Sequence, residues 1–583
     1  MVYCGKPSRG CQMCRTRRIK CDETKPTCKQ CAKSRRQCPG YKDEFDLVFR
    51  NETQATERRA QKASRKPSAS KPHSSYPTAP AADTARRSST EGGGPGLSFE
   101  QAGIIPVLGQ HPEELAACHF VANFVLVPRQ GSTRGFMDYL IPLLKQQPVD
   151  SPVHRAFNAC AIASLGNRVA SEAFDFEGKA LGEYVKALSA THAAIKDPVL
   201  SKDDGVLAAV LLLGLFESSK SITAKQMGLF AWGSHTEGAV QLVKSRGREQ
   251  LRTKTGLLLF IAVRTQMIIQ TLASSKAPTM GVEWWLTDAV HVEVAGRCQR
   301  LCIKVAEIRA EVTRLMTAAQ RTPENVELML DMIRRVQTVD QECVNWMSNL
   351  PDLWRFKTVG WEDHVPNGDY EKAEVFPGRV DLYPDLYMAS VYNMVRTSRL
   401  ILASVLVRCA AWVCAPVDYR TTPEYATAAR SCVDTITDII ASVPFHLGWH
   451  LKRPEIQQKH DLSGFACGEE DCMKGLAGYF LTWPLMCING QDYATDAQRA
   501  WCTGRLKYIA NELGVRYAGL LSGIKIRIPS MLIRRDGMMA QPNGMSGDFV
   551  KLASSRKSRS ASPTANKPLQ PLQQKESPGD AES

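Results

Sequence analysis

Between about residue 98 and residue 545, apolar side chains recur mostly at helical spacing. One run falls at Val305, Ile308, Val312, Leu315 and Met316, three and four residues apart, which predicts a helix with one apolar face. Thr322-Pro323-Glu324 has the form of a helix start: a hydroxyl N-cap, a proline at the first helical position and an acid in the first turn. Met329, Met332, Ile333 and Val336 then follow on one face, and Thr422-Pro423-Glu424 repeats the start signal further on. Phe230 to Val243 predicts another helix, closed by Lys244-Ser245-Arg246-Gly247, a basic last turn with a glycine just beyond it. Strict alternation is scarce. His291-Val292-Glu293-Val294 and Ile524-Lys525-Ile526-Arg527-Ile528 are the two segments that read as strands. The pattern therefore predicts a mainly α protein whose bulk is one large all-α region over residues 98–545.

The remaining sequence breaks this periodicity and divides the chain into further regions. Residues 1–42 are rich in cysteine and basic side chains. Residues 43–97 read as a linker: a short amphipathic helix within Asp43 to Lys66, then Pro/Ser/Ala-rich sequence ending in Gly92-Gly93-Gly94-Pro95-Gly96. Such sequence buries too little apolar area to offset its ordering entropy, so disorder is expected. Residues 546–583 are rich in Ser, Lys and Pro and are expected to form a disordered tail. No internal repeat and no sustained heptads are found. Met1 to Gln12 has no apolar core of a secretory signal. The apolar run Val206 to Phe216 is too short to cross a bilayer, and longer runs are interrupted by Arg264 and Arg408, so no membrane partner is expected.

Composition adds one asymmetry. Of 583 residues, 44% are hydrophobic and 23% charged, an ordinary globular balance that lets most of the chain bury a core. The net charge of +15 is unevenly placed: residues 1–72 hold 19 Lys and Arg against 7 Asp and Glu, or +12. A polyanion partner and a solvated basic tail both account for such a block.

The cysteines favour the first. Six stand at Cys11, Cys14, Cys21, Cys28, Cys31 and Cys38, two copies of the unit C-x2-C-x6-C. A C-x2-C pair brings two thiolates to one ion, and the third arrives about two helical turns later. Structural zinc takes four tetrahedral ligands near 2.3 Å. Two ions need eight ligand positions, so six sulfurs suffice if two of them bridge. No histidine lies in residues 1–72 to substitute. An iron–sulfur cluster or a disulfide knot is the competing chemistry for clustered cysteines. Cys4 falls outside the pattern, and the other twelve, including Cys467 and Cys472, read as core or free thiols.

The run Cys11-Gln12-Met13-Cys14-Arg15-Thr16-Arg17-Arg18-Ile19-Lys20-Cys21-Asp22, followed by Pro26, Cys28, Cys31 and Cys38, resembles the fungal binuclear zinc cluster DNA-binding domain. The resemblance implies two Zn2+ per chain, with Cys11 and Cys28 bridging, Cys14 and Cys21 completing one site, and Cys31 and Cys38 the other. It further implies a short helix whose C-terminal end enters the major groove of double-stranded DNA and reads a CGG-like triplet. The reading positions are Arg17 and Arg18, where the family often has lysine. A guanidinium suits guanine, because it can bond O6 and N7 together. Arg15, Lys20, Lys33, Arg35 and Arg36 are expected at phosphates, adding affinity and salt dependence but no sequence information. Where many members carry a dimerising coiled coil after the cluster, heptads are absent here, which leaves a monomer or a homodimer formed by the large region. His119-Phe120-Val121-Ala122-Asn123-Phe124, Arg134-Gly135-Phe136-Met137-Asp138-Tyr139-Leu140 and His235-Thr236-Glu237-Gly238-Ala239 resemble the helical regulatory region found downstream in one group of these regulators. His235 itself reads as a packed histidine rather than a ligand.

No phosphate loop, H-E-x-x-H helix or G-x-S-x-G elbow is present. The expected function is therefore a nuclear, sequence-specific transcription factor of the RNA polymerase II type, not an enzyme. Its expected partners are DNA and the transcription machinery. A biosynthetic gene cluster is the target that the family suggests. The alternatives are a zinc module that binds protein or RNA, and an enzyme in the helical region with a DNA anchor.

Overall fold

The computed structural model describes residues 11–17, 19–22, 24, 27–36 and 38. It further describes 111–538, except 129–133, 170–173, 220–226, 287–293, 319, 416, 454–455 and 457–473. The chain divides into two units, residues 1–103 and 104–583. The expected linker with its short helix, the tail, the limits at 98 and 545, Cys4, Cys467 and Cys472 lie outside the described residues.

In the first unit two five-residue helices are described, α1 (Gln12–Thr16) and α2 (Lys29–Lys33). The second unit is mainly helical. It opens with α3 (Pro112–Phe124), α4 (Leu140–Gln146), α5 (Pro152–Gly166), α6 (Phe176–Lys196), α7 (Asp204–Ser219) and α8 (Met227–Arg246). It continues with α9 (Lys254–Ser274), α10 (Val282–Trp285), α11 (Val294–Ala318) and α12 (Pro323–Ser348). After a two-stranded sheet come α13 (Leu386–Cys414), α14 (Pro423–His446), α15 (Gly475–Asn489), α16 (Asp496–Asn511), α17 (Tyr517–Ser522) and α18 (Ser530–Arg535).

Helix starts follow the local chemistry. The amide of Asn325 donates to Thr322 Oγ1 and that of Tyr425 to Thr422 Oγ1, so both Thr-Pro-Glu signals cap helices. Gly247 closes α8 at φ 63°, a left-handed conformation that glycine adopts without a Cβ penalty. In α12 the apolar stripe Met329, Met332, Ile333 and Val336 is buried. Nearly the whole circumference of α13 is buried, as its apolar sequence requires, and α11, α12, α14 and α15 pack around it. Polar clamps fix these crossings. Arg399 of α13 bonds Asp340 of α12 through two nitrogens at 2.8 and 3.1 Å, and Asn393 bonds Ser442 of α14 at 3.0 Å.

Two helices, Lys254–Ser274 and Leu386–Cys414, are long and apolar enough to cross a membrane by length and composition. Both contribute to the core. Their arginines are engaged within the fold, Arg264 with the Trp285 carbonyl at 2.7 Å and Arg408 with Asp536 at 2.7 Å.

The region is mainly helical, as expected, with one small two-stranded sheet among the described residues, at positions that alternation did not suggest. Lys357–Glu362 (β1) and Gly378–Leu382 (β2) pair antiparallel, with an irregularity between Thr358 and Gly360. Asp381 is fully buried there, accepting from Thr358 Oγ1 at 2.7 Å and Arg379 Nε at 3.0 Å. The short Gly-containing strand offers little period-2 signal, which is why it escapes a sequence reading. Val294 instead begins α11, and residues 291–293 lie outside the described set. Within Ile524–Ile528, Ile528 makes a single parallel bridge, to Gln491. The alternation there is real: Ile524, Ile526 and Ile528 turn to a cavity while Lys525 and Arg527 are exposed. Alternation reports an extended segment with one covered face, and a strand partner is a separate requirement.

Candidate metal centre

The two C-x2-C-x6-C units fold alike. Cys11 and Cys28 each precede a five-residue helix. The amide of Cys14 donates to Cys11 Sγ at 3.4 Å, and that of Cys31 to Cys28 Sγ at 3.3 Å. Ile19 N reaches the Cys14 carbonyl at 3.1 Å and Arg36 N the Cys31 carbonyl at 3.0 Å. The halves are thus related by a shift of seventeen positions in sequence.

The six sulfurs converge between the halves. Those of Cys11, Cys14, Cys21 and Cys28 lie within 4.8 Å of one another, and so do those of Cys11, Cys28, Cys31 and Cys38. The sets share Cys11 and Cys28, whose sulfurs are 3.7 Å apart. Cys14 Sγ is 3.6 Å from Cys28 Sγ, and Cys31 Sγ is 3.7 Å from Cys11 Sγ. A tetrahedron of sulfurs about 2.3 Å from a central zinc has edges of about 3.8 Å. The separations fit that tetrahedron and are far longer than the roughly 2.05 Å of a disulfide. Packing out of water pushes the Cys11 and Cys14 thiols up and that of Cys31 up to about 12. Protonated sulfurs so crowded gain little from contact, whereas a divalent cation favours the thiolate at each of them.

A carboxylate ties the halves together. Asp22, next to the third cysteine, accepts from the Thr24 hydroxyl and from the Lys29 amide at the start of α2, the latter at 3.2 Å. These bonds, the Thr24 one foremost, hold Asp22 below the usual carboxylate range. Nothing in the sequence marked Asp22 for this role beyond its place after Cys21.

The basic side chains surround this core. Arg17 is exposed at the C-terminal end of α1, its Nη1 donating to Ser34 Oγ at 3.2 Å. Lys20, Lys33, Arg35 and Arg36 are exposed, with Arg35 at φ 49°. Arg18, the side chain of Arg15 and Pro26 lie outside the described residues. In the second unit His235 packs: its Nε2 is 3.4 Å from the Tyr184 hydroxyl, which donates to Glu217 at 2.5 Å. Burial pushes His235 down from its ordinary value.

Comparison with known proteins agrees with this geometry. Residues 9–46 match the fungal Zn(2)-Cys(6) binuclear cluster domain, which binds two zinc ions, and residues 118–352 match the fungal specific transcription factor domain. The Emericella nidulans protein named transcription factor dbaG is 24% identical over 340 residues, 58% of this chain and 74% of its own length. White-opaque regulator 2 of Candida albicans is 51% identical over 47 residues, 8% of this chain and 10% of its own. The lysine biosynthesis regulatory protein of Saccharomyces cerevisiae is 69% identical over 29 residues, 5% of this chain and 4% of its own. No solved structure matches the chain.

Proposed function

Because this chain belongs to the fungal binuclear zinc cluster transcription factors, we propose that it binds double-stranded DNA itself and reads a CGG-like triplet through Arg17 and Arg18. Two zinc ions would be held by the six cysteines, Cys14 and Cys21 serving one, Cys31 and Cys38 the other, and Cys11 and Cys28 shared between them. The observation that carries this is the sharing of Cys11 and Cys28 between two four-sulfur groups. The zinc ions fix the two short helices; the protein's own side chains do the recognition. Arg17, at the end of α1, is exposed and next to Arg18 in sequence. A guanidinium there is suited to bidentate bonding with guanine. Lys20, Lys33, Arg35 and Arg36 are exposed cations suited to phosphates, and Arg15 joins them in this reading.

The helical unit sets the output of the DNA-bound protein as a regulatory domain over residues 98–545, without catalysis, in the nucleus, and acts on RNA polymerase II through the transcription machinery. A homodimer would form through this unit. A biosynthetic gene cluster is the target carried over from the family, tested by transcript profiling of a deletion strain.

Binding-site selection from random duplex DNA with the zinc-loaded full chain tests the core of this reading. Enrichment of a CGG-like triplet is the expected result, and paired triplets at fixed spacing would reveal the dimer. Salt-sensitive binding without enriched sequence would reduce the module to a non-specific anchor, and no retention of duplex DNA at all would overturn the reading.

A further inference from the structure

The helical unit encloses a cavity of about 320 Å3 walled by α9, α11, α13, α15, α17 and the extended segment after it. This is the size of a small-molecule site. Its wall is mostly apolar, with Ile269, Ile401, Val405, Trp483 and Met486 among the lining residues. The alternating Ile524, Ile526 and Ile528 close one side. Their spacing is thus explained by the cavity they face rather than by a sheet.

Several polar side chains in the wall are bonded within the fold, whereas the Trp483 Nε1–H is buried without a hydrogen bond. Gln266 bonds the Tyr479 hydroxyl at 3.2 Å, Gln491 Nε2 bonds the Leu400 carbonyl at 3.2 Å, and Asn393 bonds Ser442 at 3.0 Å. The charged groups do not balance. Arg408 pairs with Asp536 at 2.7 Å, yet its Nε is buried without a hydrogen bond. Arg309 lines the same cavity and has neither an acidic partner nor a hydrogen bond among the described residues. Burial pushes its guanidinium down to about 10, which leaves it a cation at neutral pH. Arg309 is half-buried, and a charge drawn partly out of water without a partner carries a desolvation cost. Both arginines line one cavity, and among the described residues only Arg408 has a carboxylate partner, Asp536.

We propose that this cavity is a binding site for a small apolar organic acid, whose carboxylate pairs with Arg309 and whose hydrocarbon body fills the isoleucine-lined space. An inorganic anion would meet the charge but leave the apolar volume empty; a neutral apolar molecule would fill the volume but leave Arg309 unpaired. An aryl or alkyl carboxylate meets both demands, and the planar guanidinium can hold its two oxygens side by side.

Calorimetric titration of the zinc-loaded full chain tests this with benzoate, 2-naphthoate and decanoate, each beside its neutral amide. The expected result is one site per chain for at least one acid, preferred over its amide by about tenfold or more. Arg309→Met should erase that preference while the amide binds as it does to the unaltered protein, and Arg309→Lys should retain part of it. Ile526→Trp, which fills the cavity from its rim, should remove acid binding without lowering the melting temperature. The proposal is overturned if no acid binds below about 1 mM, or if the preference for the acid survives in Arg309→Met. It is also overturned if Arg309→Met weakens acid and amide equally, the signature of a purely structural arginine.

Discussion

Arg17 donates to Ser34 at 3.2 Å, and the two residues occupy equivalent positions in the two halves of the cysteine cluster. The second half lacks an arginine at that position, and its serine steadies the arginine of the first. Ser34 in turn donates to the carbonyl of Gln30 at 2.8 Å, so it is anchored within its own half.

Arg17 and Ser34 should therefore respond differently to substitution. Arg17→Ala should cost about 1–3 kcal/mol of discrimination between a CGG triplet and a mutated one. Ser34→Ala should leave the triplet preference in place and change affinity only slightly. Arg36→Ala should weaken binding to every sequence alike and lower the salt slope by about one. Competition binding at several salt concentrations separates these outcomes; equal losses on all sequences for Arg17→Ala would make it a phosphate contact.

Zinc content distinguishes bridging from terminal cysteines. The full chain should carry two zinc ions. Cys11→Ser or Cys28→Ser should lose both, because each sulfur belongs to both four-sulfur groups. Cys38→Ser should retain the ion of the other group. Metal analysis of the purified variants reads this directly, and one retained ion in Cys11→Ser would exclude a bridge there.

Gly504 of α16 leaves no room for a side chain: a Cβ would lie 1.8 Å from the backbone oxygen of Glu371. Backbone cannot step aside as a flexible side chain does. Gly504→Ala should destabilise the helical unit by about 1–3 kcal/mol, seen as a lower urea midpoint, with zinc content unchanged. An unchanged midpoint would show that the loop yields freely.

His446 predicts a pH dependence. Its ring is buried, Nδ1 lies 3.0 Å from the Ser442 carbonyl, and burial pushes its pKa from 6.5 down to about 4. Between these values the unfolded chain binds a proton that the folded chain does not. Stability is then complete above pH 6.5 and falls as the pH drops towards 4, by about 3 kcal/mol at most. Melting temperatures of the full chain and of His446→Gln across this window check the claim: the variant should show a shallower fall.

The cluster was legible because its chemistry is local. Six cysteines within 28 residues, repeated at a fixed spacing, constrain which sulfurs can meet, and the chain between them is too short for many alternatives. The helix starts at Thr322 and Thr422 were legible for the same reason, since a cap and the amide it satisfies are three residues apart. The role of Ser34 was recoverable in principle from its position opposite Arg17 in the repeat. The strands Lys357–Glu362 and Gly378–Leu382 were not, because pairing joins segments whose own patterns are weak.

The sequence by itself determined the six-cysteine group, the basic composition beside it and the helical character of the long region, all of which depend on contacts within a few turns of chain. Only the tertiary structure decided that Gln266, Arg309, Arg408, Trp483 and Ile526 surround one cavity, and that Arg309 has no acid beside it among the described residues. These residues span more than two hundred positions, and no local periodicity encodes their meeting. A charge at a cavity wall becomes visible only when packing has shown how much of its water is displaced and which partners came with it.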